Sequence, residues 1–204
     1  MYLVKTIRSH EDDFNAGILE VNQYAWGCEC RPKTYARLVY VENKGFELKM
    51  WCYESNPRAI YHNPNDKVHT DSCMEAFINF YPEMEDKGYV SYEMNANGAS
   101  HHSFGTGRGT RDYVLNLGFA HPTVEITKCV IDGEEVWEAK TFITLEHIKE
   151  LYGKAEFKKG DKLRANFYKC GDDTEIPHYG SWHPVSAPAP DFHRPECFGE
   201  LIID

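Results

Sequence analysis

Thr70-Asp71-Ser72-Cys73-Met74-Glu75-Ala76-Phe77-Ile78-Asn79-Phe80 is the stretch around which the chain is organised. It alternates. Ser72, Met74, Ala76, Ile78 and Phe80 share one face of an extended strand, and Cys73, Glu75, Phe77 and Asn79 share the other. The first face is almost wholly apolar and belongs in a core. The second sets a carboxylate among apolar neighbours, as expected of a sheet surface that binds something polar. The plainer reading is a half-buried core strand with one solvated Glu.

The flanking sequence supplies partners for this strand. Residues 18–26 alternate loosely and read as a first strand. Residues 35–41 and 46–53 read as a hairpin around the turn Glu42-Asn43-Lys44-Gly45. Residues 55–70 hold two Pro, three Asn and two His with little periodicity, the mark of a long surface loop. Residues 89–95 alternate again and should run antiparallel to the central strand, with Asn97-Gly98 as the turn and a short strand at 101–104. Residues 124–131 and 136–143 form another hairpin around Asp132-Gly133-Glu134. Residues 162–169 alternate, and 198–203 close the chain. The clear helix lies near residues 145–152. Thr144 caps it, Leu145, Ile148, Leu151 and Tyr152 form one stripe, and Gly153 ends it. Many short strands and one small helix predict an all-β fold, a β-sandwich of jelly-roll type, as a single domain over residues 1–204.

Composition narrows the function. The 204 residues are 42% hydrophobic and 26% charged, which fits a globular chain long enough to build a core. Aromatic residues make up 14%, favouring strands and leaving flat rings for ligand faces. The formal charge of −10 argues against nucleic acid or an anionic membrane as partner, because both need a basic patch. Seven scattered cysteines include no Cys-x-x-Cys pair, and several sit inside expected strands, where a free Cys acts as a small hydrophobe. The first ten residues lack the apolar run of a signal peptide. A cytoplasmic location is the expectation for the sequence as given, and an extracellular one if an export signal has been removed.

No catalytic motif stands out. Gly-x-Ser-x-Gly, the phosphate-binding glycine loop with its Lys, and His-Glu-x-x-His are all absent from the sequence. Gly105-Thr106-Gly107-Arg108-Gly109 resembles a phosphate loop only in composition. His101 and His102 are neighbours on a strand and point to opposite faces, so they cannot easily share a metal. Trp182 is the better clue. It lies in His178-Tyr179-Gly180-Ser181-Trp182-His183-Pro184, a polar segment with no amphipathic pattern to bury it. A Trp there either stacks on the apolar face of a sugar ring or caps the edge of the core.

Three motifs in order resemble the family 9 carbohydrate-binding modules, and most of all the stand-alone family 9-like proteins related in fold to DOMON domains. They are Val68-x-x-Asp71-Ser72-Cys73-Met74-Glu75-Ala76-Phe77; Tyr89-x-x-Tyr92-Glu93-Met94-Asn95-Ala96-Asn97-Gly98; and Trp182-x-Pro184 with Phe192-His193-Arg194-Pro195-Glu196-Cys197-Phe198-Gly199. The resemblance implies a sandwich that binds the ends of glucan (cellulose) or xylan chains without cleaving them, the terminal sugar lying between two aromatic rings. Trp182 falls where the second ring would lie. The first falls at about His69, a departure from Trp, with Tyr61 in the preceding loop as a substitute. Glu75 aligns with an acidic residue that bonds sugar hydroxyls, and Arg108 is the candidate for the family's sugar-binding arginine. The family also carries structural calcium, to which Asp12, Asp13, Asp71 and Asp191 could contribute, although no loop has a calcium signature and no ligand set is assigned.

Oligosaccharide or polysaccharide ends are therefore the expected partners, with a carbohydrate-active enzyme as a further candidate. Two other readings stand beside sugar binding. One is a glycoside hydrolase-like enzyme using Glu75 with a second carboxylate or a His. The other is an interaction protein with a vestigial sugar site. A DOMON-type haem role is disfavoured, since no His/Met pair stands out as axial ligands.

Overall fold

Alternation governs almost the whole chain. The computed structural model describes residues 1–8 and 16–204. Its strands are β1 (Tyr2–Ile7), β2 (Leu19–Val21), β3 (Gln23–Tyr24), β4 (Thr34–Val41), β5 (Gly45–Tyr53), β6 (Cys73–Asn79), β7 (Tyr89–Asn95), β8 (Ser100–Gly105), β9 (Arg111–Tyr113), β10 (Val124–Ile131), β11 (Glu134–Thr144), β12 (Lys162–Gly171), β13 (His178–Ser181) and β14 (Gly199–Ile203). One α-helix, α1 (Leu145–Tyr152), follows β11.

The strands form a β-sandwich. One sheet runs β14-β12-β6-β7-β8-β9, with β13 and then β3 added beside the far end of β12. The other runs β4-β5-β11-β10, with β2 on the free side of β4. β1 belongs to both. Its first half pairs in parallel with β14 and its second half in parallel with β4.

The central strand sorts its side chains as its sequence requires. Met74, Ala76 and Ile78 enter the core between the sheets, where they meet Leu163, Ala165 and Phe167 of β12 and Leu38, Phe46, Leu48 and Met50 of the opposite sheet. Each fully buried large side chain contributes roughly 1.5–3 kcal/mol. Cys73 and Phe77 face the other way, into a smaller apolar cluster with Tyr89, Tyr168, Phe192 and Phe198. Ser72 joins a buried polar knot. Lys169 Nζ, fully buried, donates to Ser72 Oγ at 2.9 Å and to the Cys170 carbonyl at 3.1 Å, meets His178 Nε2 at 2.7 Å and lies 3.7 Å from Glu54. An ammonium taken out of water needs such partners.

The helix lies where its cap and stripe place it. Thr144 Oγ1 accepts from the His147 N–H at 3.1 Å, and Gly153 ends the helix at φ +81°. Ile148, Leu151 and Tyr152 enter the core, and the Tyr152 hydroxyl donates to the Gly88 carbonyl at 3.1 Å. Three parts of the sequence reading change. The chain opens with β1, which was not expected as a strand, and residues 18–26 hold two short strands rather than one. The polar segment after residue 177 is β13, held by antiparallel pairing with β12.

Asp71 fixes the long loop before β6. Its carboxylate is fully buried and accepts from the Arg58 guanidinium, the Ile60 and Tyr61 N–H groups at 2.9 and 3.2 Å, and Asn95 Nδ2 at 2.9 Å. Asp71→Ala strands these donors and should cost about 3 kcal/mol in urea unfolding. A loss under about 1 kcal/mol would show that the loop is held by other contacts.

Candidate functional site

The outer face of β6, β7 and β8 forms the floor of a cavity of about 520 Å³. Strand register builds that floor. Glu75 pairs with Glu93 across β6 and β7, Glu93 with His101 across β7 and β8, and Tyr168 of β12 with Glu75. Glu75, Glu93 and His101 all line the cavity and are nearly fully buried. Cys170 Sγ donates to Glu75 Oε1 at 3.1 Å, and Ser91 Oγ donates to Glu93 Oε1 at 3.2 Å. Burial, with Cys170 and Glu93 nearby, pushes the Glu75 carboxyl well above its usual range.

Loops make the walls. The long loop after β5 contributes Asn65, Lys67 and His69, and the β8–β9 segment contributes Arg108, Arg111 and Tyr113. The segment before β14 contributes Asp191, Phe192 and His193, and β13 contributes Tyr179. Phe192 stacks on Tyr168 with centroids 4.1 Å apart and planes 13° apart. Trp26 supports this wall from behind. Its ring lies 6.1 Å from both Tyr179 and Phe192, and its Nε1 donates to the Ala187 carbonyl at 2.8 Å. His193 stacks on Phe77 at 4.7 Å and meets the Tyr89 hydroxyl at 2.8 Å. Burial, then Arg111 and Arg108, hold its imidazole down at about 2, so it stays neutral near pH 7.

Arg108 closes part of the rim. It donates through Nε and Nη2 to Asp191 Oδ1 at 3.0 and 2.8 Å. Burial raises the Asp191 pKa, but Arg108 outweighs it and holds the carboxyl below its ordinary value. Three buried polar atoms of cavity-lining residues have no hydrogen-bond partner in the protein: Nδ1 and Nε2 of His101 and Oδ1 of Asn65. A buried polar atom without a partner costs about 1–3 kcal/mol, which a polar ligand can recover.

Glu75, His69 and Arg108 thus come together, while Trp182 and Tyr61 do not line this cavity. Trp182 follows β13, and its N–H donates to the Phe167 carbonyl at 2.8 Å. Its ring meets Phe167 edge-on at 5.9 Å and sits over Gly199, where a Cβ would come within 2.5 Å of it. It therefore packs at the margin of the inter-sheet core. Tyr61 serves the loop through its main chain, donating to Asp71 and accepting from Asn95 Nδ2 at 3.0 Å. The register partner of Glu75 was legible, since β7 was expected beside β6, but Glu93 was not drawn into the site. His101, Asn65 and Arg111 carried no local signal.

The calcium carboxylates divide. Asp12 and Asp13 lie outside the described residues. Asp71 accepts from four donors, and Asp191 accepts from Arg108 and the His193 N–H and forms an ion pair with Arg194. Oxygens committed to cations and N–H groups do not fit a calcium site, which takes six or more oxygens.

A sandwich whose sheet face carries carboxylates, an imidazole and unpartnered polar atoms under aromatic walls is the architecture of a small-ligand binding module. The sequence profile of carbohydrate-binding family 9 matches residues 11–203, and the chain belongs to that family. Its function is non-catalytic carbohydrate binding. A protein from Bacteroides uniformis assigned to carbohydrate binding shares the fold with TM-score 0.79 and 23% identity over 99% of this chain and 98% of that one. A family 9 module from Caldicellulosiruptor kristjanssonii in complex with glucose aligns with TM-score 0.62 and 12% identity, over 99% and 94% of the two chains. The same organism's module in complex with cellotriose gives 0.60 and 12%, over 99% and 92%. No curated protein matches the sequence.

Behind the cavity floor, His102 faces the other side of β8, with His121 at 4.1 Å. Burial and then His121 hold His102 well below its usual range and His147 at about 4, while burial and Lys169 hold His178 at about 4. Each must take up a proton on unfolding once the pH drops below the ordinary value near 6.5. Their stabilisation is therefore complete above that pH and is lost as the pH falls toward about 4. Glu75 works in the opposite direction, but the buried histidines outnumber it. Thermal unfolding should occur several degrees lower at about pH 5 than at pH 7, with a smaller drop in His147→Gln. An equal or higher melting temperature at the lower pH contradicts this.

Proposed function

We propose that the cavity over β6–β8 is the sugar site and that it takes the terminal residue of an oligosaccharide or polysaccharide. His101 carries the reading. The residue lines the cavity beside Glu93 on the same row, and both of its ring nitrogens are buried without a protein hydrogen-bond partner. An imidazole offers one donor and one acceptor, and sugar hydroxyls supply both complements. Glu75 stands next in the row. Burial favours its protonated form, which donates as well as accepts. Phe192, Tyr179, Tyr113 and His193 provide ring surfaces for the apolar face of a pyranose. His69 and Arg108 belong to the rim, and Arg108 bridges to Asp191 across it. A rim tied in this way favours a chain end over an internal segment.

The glucose and cellotriose complexes of the Caldicellulosiruptor modules support a β-glucan end as the first ligand to test. Glu75 and Glu93 side by side on one sheet surface do not suit hydrolysis. A glycosidase pair flanks the scissile bond, whereas neighbouring strands present both carboxyls from the same side.

Calorimetric titration with glucose, cellobiose, cellotriose and xylobiose tests the site. His101→Ala and Glu93→Gln should each weaken binding about tenfold to a hundredfold, the loss of one or two hydrogen bonds to charged or buried groups. Trp182→Ala should leave affinity within about twofold and lower stability by about 2–3 kcal/mol, because its ring packs on the core. Full affinity in His101→Ala, or lost affinity in a folded Trp182→Ala, would move the site away from this cavity.

A further inference from the structure

Cys73, Cys170 and Glu75 are the feature that sugar binding leaves unexplained. Cys73 and Cys170 stand directly opposite each other on β6 and β12, and Glu75 follows Cys73 by two residues on the same face. One ligand atom from each lies within 4.8 Å of the other two, and all three residues are buried. Among the described residues, no other three His, Cys, Asp or Glu side chains converge in this way.

Sheet geometry makes the arrangement rigid. Two side chains come from one strand at the two-residue repeat and the third from the paired strand, so no loop has to move to bring them together. A tetrahedral zinc ion has Zn–S near ~2.3 Å and Zn–O near ~2.0–2.2 Å, which places its ligand atoms roughly 3.5–3.8 Å apart. The 3.1 Å contact of Cys170 Sγ with Glu75 Oε1 and the 4.8 Å limit on the trio bracket that spacing. An ion would also have a way in, since Glu75 and Cys170 both line the 520 Å³ cavity.

The electrostatics point the same way. Three acidic groups are packed together with no cationic side chain among them, and they share protons instead. Cys170 donates to Glu75, and Cys73 donates to the Met74 carbonyl at 3.8 Å. A divalent ion can replace those protons as the counter-charge.

We propose that Cys73, Cys170 and Glu75 form a binding site for a thiophilic divalent cation of the zinc class, with an open fourth position toward the cavity. Two sulfur ligands and one oxygen favour Zn²⁺ or Cd²⁺ over Ca²⁺ or Mg²⁺, which take oxygen alone. Glu75 is shared with the proposed sugar row, whereas the two sulfur ligands do not depend on which sugar binds or on whether one does.

Titration of the reduced, full-length protein with Cd²⁺, followed by thiolate-to-metal absorption in the ultraviolet, tests it. One ion per chain should bind with a saturable band that Zn²⁺ displaces and a large excess of Ca²⁺ does not. Cys73→Ser and Cys170→Ser should each weaken binding at least about tenfold, and Glu75→Gln should weaken it less. Cys129→Ser, at an exposed thiol, should change nothing. Circular dichroism checks that each variant folds. If the cysteine variants do not fold, X-ray absorption of the zinc-loaded wild type decides, with two sulfurs and one or two light atoms expected around the ion. No saturable band in the wild type, an unchanged band in a folded Cys73→Ser, or a zinc shell without sulfur would overturn the proposal.

Discussion

β6 has no wet face. Residues 73–78 are buried on both sides, the apolar set against the second sheet and the Cys73, Glu75 and Phe77 set beneath the loops. A strand exposed on one side can tolerate a register error. One buried on both sides cannot, because a slip of one residue would drive Glu75 into the hydrocarbon interior and move Met74, Ala76 and Ile78 into the cavity. Core and binding floor are thus two sides of a single constraint. The flanking residues defend it. Asp71 fastens the incoming loop, and Ser72 engages the buried Lys169, so the strand enters the sheet at one position only.

The cavity inherits its chemistry from this arrangement. Register lines up Glu75, Glu93 and His101 in one row, and rows in a sheet are about as rigid as a protein surface can be. Adaptability comes from the loops, which deliver the rings and the cations. Lys67, Arg108 and Arg111 converge on this face of a chain whose net charge is −10, so the acidic row is set among local positive charge. Such a face offers a neutral, hydroxyl-rich molecule fixed donors and acceptors, with a net gain limited because water offers the same groups similar bonds.

Local sequence revealed most of the architecture. The two faces of β6, the hairpin of β4 and β5, and the cap and stripe of α1 all follow from periodicity and turn chemistry over short windows. What it did not reveal depends on long-range pairing. β13 is a strand because β12 offers it hydrogen bonds, although His178-Tyr179-Gly180-Ser181 has little strand character of its own. That pairing is why Trp182 turns toward Phe167 and Gly199 instead of the ligand face. Glu75, His69 and Arg108, which motif and loop position single out, reach one cavity. His101, Asn65 and Arg111 owe their place to strand order and loop path, which no short window contains.

β1 carries a consequence for how the chain reaches this state. Its first residues pair with β14 and its last with β4, so residues 2–4 meet residues 201–203 while residues 5–7 meet residues 39–41. The seam between the sheets is therefore closed by contacts spanning nearly the full chain length. Such closure carries a large entropic penalty and raises contact order, which slows folding. During synthesis the second sheet can assemble early, but β1 must wait for residues 201–203 before half of its hydrogen bonds can form. Until then it presents an unpaired edge, and a nascent chain in that state depends on speed or on chaperones to avoid pairing with its neighbours.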